Sequence, residues 1–137
     1  MLDEAISEYQ KGLQTQPESI KGRLSLAFIY EKKGIYKEAI AEYQAALKLN
    51  PGNQDAKQAA GALEAIVQIK EMLKQAPKET SAYIHLGHIY YARGMYQEAL
   101  ENYNKALQFD SDNRIAKTSA QKATVQLLES NGEKVIG

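Results

Sequence analysis

The sequence predicts an all-α fold: a solenoid of antiparallel helix-turn-helix units with about seven helices. Residues that favour helices, namely Ala, Leu, Lys, Glu and Gln, dominate the 137 positions. Apolar residues recur at spacings of three and four, and the alternation typical of strands is absent. Finally, GIYKEAIAEYQAALKLNP at 34–51 has a near-copy, GMYQEALENYNKALQFDS, at 94–111. Such internal repetition is the mark of a repeat architecture.

The repeating unit is predicted to be two helices joined by a short turn. Residues 20–33 place Leu24, Ala27 and Tyr30 on one helical stripe, and 36–49 carry a second stripe. Gly34 ends the first helix, because glycine adopts the left-handed backbone that such a turn requires. Segment 2–17 aligns without gaps on 36–51. Residues 2–15 are therefore predicted to form a helix equivalent to 36–49, the second helix of a unit.

The spacing of 60 between the two copies predicts how the chain is organised. Shifting the whole sequence by 60 gives 19 identities in 60 positions. We therefore expect a single domain over 1–137, with block one at about 1–60 and block two at about 61–120. A capping helix is predicted at about 113–130, followed by frayed residues.

A long helix near 54–75 is predicted between the two blocks. The spacing of 60 is 34 plus 26, so the repeat between the copies is eight residues short and lacks the turn. Small and apolar residues continue at helical spacing through this junction, which favours one helix of about 33 Å. The alternative is a kink at Gly61, because a glycine inside a helix costs about 1 kcal/mol relative to alanine.

The first helix, 2–15, is predicted to lack the neighbour that a helix of its kind normally has. Its stripe includes Leu2, Ile6, Tyr9 and Leu13, and only one side of it can pack on 20–33. Two readings remain open: the chain is a fragment of a longer array, or another chain covers this side.

The characteristic residues of the two clear copies are Leu26, Ala27, Tyr30, Gly34, Tyr36, Ala39, Tyr43, Ala46 and Pro51 in the first copy, and Tyr83, Leu86, Gly87, Tyr90, Gly94, Tyr96, Ala99, Tyr103 and Ala106 in the second. On these residues, the repeats resemble the tetratricopeptide repeat, a helix-turn-helix unit. The second copy departs from the family at Ser111, where proline is usual. The small residues are expected at close helix crossings, where a larger side chain would cost about 1–3 kcal/mol.

The resemblance implies a binding groove lined by the first helix of each repeat. The residues carried over to this groove are Lys21, Leu24, Phe28, Glu31, Lys32, Ser81, Ile84, His85, His88 and Tyr91. The alternative for Leu24, Phe28 and Ile84 is that they belong partly to the core. One subset of the family clamps a terminal carboxylate with groove lysines and asparagines. Phe28 and His88 occupy the asparagine place here, so a ligand of mixed apolar and polar character is predicted.

Catalysis and cofactor binding are not expected. His85 and His88 lie three residues apart on one helix, but no third metal ligand follows at a diagnostic spacing. No nucleophile, metalloprotease or phosphate-loop motif occurs, so we predict no enzyme, no metal and no cofactor. The 17 basic and 17 acidic residues balance, which disfavours nucleic acid as a partner. No apolar run approaches the length that spans a bilayer, and no cysteine can form a disulfide.

Two functions remain open from the sequence. The first is a non-enzymatic scaffold module that binds a peptide or a partner protein through the concave surface. The second is a structural element that forms a homo-oligomer, in which the long helix invites domain swapping. The cytoplasm is the default location, since no signal peptide is recognisable in the first residues.

Overall fold

The computed structural model describes the backbone of residues 1–136 and the side chains of residues 1–132. In this part of the chain there are seven helices and no strands, as the sequence predicts. The helices are α1 (Leu2–Thr15), α2 (Ile20–Lys33), α3 (Tyr36–Leu49), α4 (Gln54–Gln75), α5 (Thr80–Ala92), α6 (Tyr96–Phe109) and α7 (Arg114–Ile136). The chain divides into two compact units: unit 1 is Met1–Val67, and unit 2 is Gln68–Gly137.

The turns between paired helices are made by glycine in a left-handed conformation. Gly34 has a φ of 78° and Gly94 has a φ of 75°, which a side chain would strain. The amide after each glycine then bonds back to the helix, from Ile35 to the Tyr30 carbonyl at 2.9 Å and from Met95 to the Tyr90 carbonyl at 2.8 Å. This closure satisfies carbonyl groups that the helix end leaves open.

Side-chain caps start α2, α4 and α7, which follow longer turns, whereas α5, with Glu79 at its N-cap, has no side-chain cap. The Ser19 hydroxyl accepts from the Gly22 amide at 3.0 Å. The Asn53 side chain accepts from the Ala56 amide at 2.9 Å, and that of Asn113 accepts from the Ala116 amide at 3.0 Å. Each cap supplies an acceptor for an amide without a helical partner. The starts of these three helices are therefore encoded locally, at equivalent places in the repeat.

In unit 1, α2 and α3 form the central pair and α1 packs on α2. Buried small residues, Ala27, Ala39 and Ala46, bring the helices close together around Leu26 and Tyr43. The first part of α4 joins this unit, where the Gln44 side chain donates to the Glu64 carboxylate at 3.1 Å.

Unit 2 repeats the arrangement with α5 and α6 as the central pair and α7 packed on α6. Tyr83 is buried against Ala106 and Ala116, and its ring stacks on Phe109 with a centroid distance of 5.7 Å. Its hydroxyl donates to the Pro77 carbonyl at 2.7 Å. Leu86 and Tyr90 complete the buried face of α5.

The predicted long helix is confirmed, because α4 runs without interruption from Gln54 to Gln75. Gly61 therefore does not interrupt the helix, and the kink at Gly61 that the sequence leaves as the alternative stays a prediction. Gly61 is exposed, and a β-carbon built on it would have no neighbour within 4 Å. The division between the units falls inside α4 after Val67, whereas the sequence period places it at about residue 60.

The last helix is longer than predicted. The sequence predicts an end near residue 130, but α7 continues to Ile136. Its buried face consists of alanines: Ala116, Ala120 and Ala123. Fraying is predicted for the final residues. Gly137 and the side chains of residues 133–136 lie outside the part of the chain that the structure describes.

Candidate interaction surface

Tyr103 is the residue around which the candidate site of unit 2 is arranged. It lies on α6, it is 1% exposed, and its ring packs against Gly87 on α5. A β-carbon at Gly87 would lie 2.6 Å from Cδ1 of Tyr103 and closer still to Cε1. Only glycine therefore allows the ring this close to α5. This approach places the tyrosine hydroxyl within hydrogen-bonding distance of His88 on α5.

The Tyr103 hydroxyl is held by residues from two neighbouring helices. It shares a hydrogen bond with Nδ1 of His88, at 2.7 Å, and the hydroxyl donates when that nitrogen is unprotonated. The two rings meet edge to face with centroids 5.4 Å apart. Ser119 on α7 also hydrogen-bonds the tyrosine. A buried aromatic ring thus connects α5, α6 and α7 at one point.

An open cleft of about 160 Å³ lies above this point. It is lined by His88, Tyr91, Tyr103, Ser119 and Lys122. Tyr91 is fixed by edge-to-face contact with Tyr96, with ring centroids 5.1 Å apart. The cleft therefore combines aromatic surface with an imidazole, hydroxyl-bearing side chains and an ammonium group. Such a set can hold an extended peptide and hydrogen-bond an acidic or amide side chain.

The surroundings of Tyr103 change its acidity. Burial raises the pKa of Tyr103 because the tyrosinate would lose its hydration. The hydrogen bond from Ser119 lowers this pKa, and the nearby Tyr91 raises it. Since burial is the largest of these effects, the Tyr103 hydroxyl stays neutral and available for hydrogen bonding through the physiological range.

The corresponding place in unit 1 has different chemistry. The period of 60 relates His88 to Phe28, and relates Ser119 and Lys122 to Ala59 and Ala62. Phe28 is 50% exposed, and the Lys32 ammonium lies 5.0 Å from its ring centroid. Ala59 is buried, so unit 1 presents an exposed aromatic ring where unit 2 presents a polar cleft.

Most of the residues predicted to line the groove are accessible. Lys21, Phe28 and Lys32 in unit 1, and Ser81, His85 and His88 in unit 2, are exposed. Leu24, Ile84 and Tyr91 are half-buried. Ile84 packs against the buried cluster around Tyr83, so it also contributes to the core.

Glu31 does not lie where the sequence places it. The groove prediction puts it on the accessible surface, but it is 1% exposed and accepts a hydrogen bond from the Tyr43 hydroxyl at 2.9 Å. A carboxylate is costly to bury without such a donor. The hydroxyl of the facing helix draws Glu31 inward, which removes it from any surface available to a partner.

The structure does not group the histidines into a metal site. Among the described residues, no cluster of three or more histidine, cysteine, aspartate or glutamate side chains has the geometry to hold a metal ion. Instead, His88 is engaged with Tyr103, and His85 is exposed on the same helix.

The sequence prediction omits three lining residues of the cleft: Tyr103, Ser119 and Lys122. It names Tyr103 only among the residues that carry the family resemblance, and it gives α7 the role of a cap. The periodicity of α7 contains the missing signal. Ile115, Ser119 and Lys122 are spaced four and three residues apart, so they share one helical face.

Comparison with known proteins identifies the family. Models of the tetratricopeptide repeat match residues 21–53 and 80–113. The chain is a tetratricopeptide repeat protein. It is 34% identical over 104 residues to the small glutamine-rich tetratricopeptide repeat-containing protein 2 of Mycosarcoma maydis, a match that covers 70% of this chain and 30% of that protein. It is 29% identical over 119 residues to the TPR repeat-containing protein YpiA of Bacillus subtilis, covering 81% of this chain and 28% of that one.

Solved structures place the fold in the same class. A tetratricopeptide repeat protein from Parabacteroides merdae superimposes with a TM-score of 0.50 at 21% identity, over 92% of this chain and 52% of that chain. The present chain spans less than a third of the length of the two curated relatives. In the part of the chain that the structure describes, no helix combines the length and the apolar character needed to cross a membrane.

Proposed function

We propose that this tetratricopeptide repeat protein is a non-enzymatic interaction module that binds an extended peptide of a partner protein. The observation that carries the proposal is the cleft of about 160 Å³ over Tyr103 in unit 2. Its polar groups come from α5, α6 and α7, and they converge on one open space. Convergent polar groups beside aromatic surface are the usual character of a binding site.

The chemistry of the cleft favours a peptide with an acidic or amide side chain next to an apolar one. Lys122 is exposed and supplies a positive charge, while His88 and Ser119 supply hydrogen-bonding groups. Ile115 is 59% exposed and lies on the same face of α7 as Lys122. The apolar residue of the peptide is expected to contact this side chain, with the polar residue further along the helix.

Selection from a random displayed-peptide library, with the full chain as bait, tests the proposal. We expect selected peptides to share an aspartate, glutamate or asparagine beside an apolar residue. Lys122→Ala or His88→Ala should then weaken binding about tenfold, which corresponds to about 1.4 kcal/mol. Phe28→Ala, at the place in unit 1 that corresponds to His88, is the matched control for this cleft.

The result decides between the two units. Peptides that lose affinity with Phe28→Ala but not with Lys122→Ala would move the binding site to unit 1. Peptides unaffected by all three substitutions would contradict binding through the predicted surface altogether.

Homo-oligomerisation, the second function that the sequence leaves open, remains a prediction. Light scattering over a range of protein concentration tests it without any ligand. A mass that rises with concentration, and that falls back with charged residues at Leu2 and Ile6, would support assembly. A strict monomer at high concentration would contradict it.

A further inference from the structure

The hydrogen bonds around Tyr103 form a chain that runs across three helices of unit 2. Tyr103 on α6 bonds to His88 on α5 and to Ser119 on α7. A tyrosine hydroxyl has one proton to donate, and its oxygen can accept from another group. The direction of the two bonds therefore decides which hydrogen-bonding groups the cleft presents to a ligand.

Two observations indicate that Ser119 donates to Tyr103 and that Tyr103 donates to His88. The hydroxyl oxygen of Tyr103 lies 2.7 Å from Nδ1 of His88, a length typical of a hydroxyl donor, whereas bonds donated by N–H groups are most often about 2.9–3.0 Å long. Burial is the main influence on the pKa of Tyr103 and raises it, but the bond with Ser119 lowers this pKa. A donor to the phenolic oxygen has that lowering effect because it stabilises the tyrosinate.

This direction fixes the tautomer of the His88 imidazole. Nδ1 accepts from Tyr103, so Nε2 carries the proton of the neutral ring. His88 is exposed and lines the cleft, where its Nε2–H group is then a donor. The Tyr103 ring is held in place for this bond, because it is buried and lies against Gly87.

Lys122 on α7 supplies a second donor to the same cleft. It is exposed, and its ammonium group donates hydrogen bonds but accepts none. A carboxylate offers one acceptor oxygen to each of two donors, and its charge complements that of the lysine. An amide has a single acceptor oxygen, so its NH₂ group would face one of the two donors and leave it without a partner.

We propose that Tyr103 and Ser119 are positioning residues that hold His88 in the Nε2–H form, and that this form makes the cleft select a side-chain carboxylate over the corresponding amide. Both residues act through the imidazole, which makes the polar contact with the peptide. This selection rests on the proposed function, because the same cleft must first bind a peptide. Aspartate and glutamate are then preferred over asparagine and glutamine beside the apolar residue.

Heteronuclear NMR of the full chain with isotope-labelled histidine tests the tautomer without any ligand. The spectra are recorded at about pH 8, at the upper end of the range in which imidazole changes its charge. The chain has two histidines, so the spectrum of His85→Gln isolates His88. We expect a protonated Nε2 and an unprotonated Nδ1 in His88. Tyr103→Phe should shift the Nδ1 signal towards that of His85, which is exposed on the same helix and serves as the reference.

The ligand preference is measured with matched peptides. The tightest peptide from the displayed library that contains glutamate or glutamine is synthesised in both forms, and each form is titrated into the full chain. We expect the glutamate form to bind about tenfold tighter, a difference of about 1.4 kcal/mol. Tyr103→Phe should reduce this ratio by about threefold or more, the effect of one lost hydrogen bond. Ser119→Ala should reduce it less, and Ser119→Thr, which keeps a hydroxyl group, should restore it.

Tyr43→Phe is the matched control. It removes the equivalent hydroxyl from unit 1, where Phe28 and Ala59 take the places of His88 and Ser119. This variant should leave the ratio of the two affinities unchanged. A ratio that falls equally in the Tyr43→Phe and Tyr103→Phe proteins would overturn the proposal, since weaker folding would then explain both.

Two other results would overturn the role of the positioning residues alone. One is a protonated Nδ1 in His88 of a protein that binds the selected peptides. The other is a ratio that Lys122→Ala abolishes and Tyr103→Phe leaves intact, which would assign the preference to the lysine. Failure to select any peptide would instead overturn the proposed function, and the preference for a carboxylate with it, whichever tautomer is observed.

Discussion

Tyr43 in unit 1 and Tyr103 in unit 2 hold equivalent places, yet their hydroxyl groups bond to different partners. The Tyr43 hydroxyl donates to Glu31, which is buried, whereas that of Tyr103 reaches His88, which is exposed. One hydrogen bond is enclosed by the helix pair, and the other opens onto a cleft. Two repeats with the same fold thus differ in the partner of one tyrosine. We call the repeat of unit 1, where this hydrogen bond is buried, the closed repeat, and that of unit 2, where it borders a cleft, the open repeat.

The residue at the helix crossing accompanies this difference. Ala27 holds the place in unit 1 that Gly87 holds in unit 2. Without a β-carbon at Gly87, the Tyr103 ring lies closer to α5 than an alanine would allow. We infer that the glycine directs the hydroxyl of Tyr103 toward His88. The residue at the helix crossing would then determine the hydrogen-bond partner of the tyrosine, as well as how closely the helices pack.

Gly87→Ala is expected to have the largest effect, a loss of about 1–3 kcal/mol in the free energy of unfolding. Helix propensity alone predicts the opposite, a gain of about 1 kcal/mol. The sign of the change in the free energy of unfolding therefore shows which effect is larger, the steric conflict with Tyr103 or the helix propensity of alanine. Urea unfolding followed by circular dichroism measures it, and a stabilised variant would contradict the tight crossing.

Tyr43→Phe should cost more than Tyr103→Phe. Removing the Tyr43 hydroxyl takes a donor from the buried Glu31 carboxylate, and an impaired buried acceptor costs about 1–3 kcal/mol. After Tyr103→Phe, water can reach His88, so we expect only about 0.5–1.5 kcal/mol. Equal losses in urea unfolding would show that the two repeats enclose their tyrosines to the same degree.

Gly61→Ala should raise the free energy of unfolding by about 1 kcal/mol. This glycine is exposed inside the continuous helix α4, and the new methyl group meets no neighbour within 4 Å. The substitution is the counterpart of Gly87→Ala in a site without a crossing helix. A loss of stability, measured by the same unfolding experiment, would indicate that α4 requires local distortion at Gly61.

The helices could be predicted from the sequence because their signals are local. Apolar spacing and the turn glycines Gly34 and Gly94 fix most of the bounds, and uninterrupted periodicity through 54–75 predicts α4 in spite of Gly61. The sequence places the end of α7 too early, since residues 131–137 include two glycines and only two large apolar residues. The buried alanines Ala116, Ala120 and Ala123 lie at helical spacing in the preceding turns of α7.

The candidate site was harder to predict because its members come from three helices. Helical spacing places Glu31 on the same face as Phe28, but the hydroxyl of Tyr43 on another helix determines its burial. Ser119 and Lys122 lie far along the chain from His88 and meet it only in the folded unit. Side-chain partners across helices are not encoded by the periodicity of either helix.

The smallest expected effect is on the pH dependence of stability, through Tyr103. Burial raises the pKa of Tyr103 in the folded protein above the ordinary value of 10.0. The unfolded chain therefore loses this proton first as the pH rises. The stabilising contribution of the neutral side chain is complete below about pH 10 and is lost as the pH rises through the folded pKa. Tyr103→Phe should make the alkaline decline in stability slightly shallower, since one of nine tyrosines is removed.

Difference absorbance of tyrosinate, unchanged protein minus Tyr103→Phe, isolates the titration of this residue. We expect its midpoint above pH 10. Ser119→Ala should move the midpoint higher still, because the hydrogen bond from Ser119 lowers the pKa of Tyr103. A midpoint at or below 10, or a shift in the other direction with Ser119→Ala, would mean that water reaches the Tyr103 hydroxyl freely. The open repeat would then hold its tyrosine less tightly than the close approach at Gly87 implies.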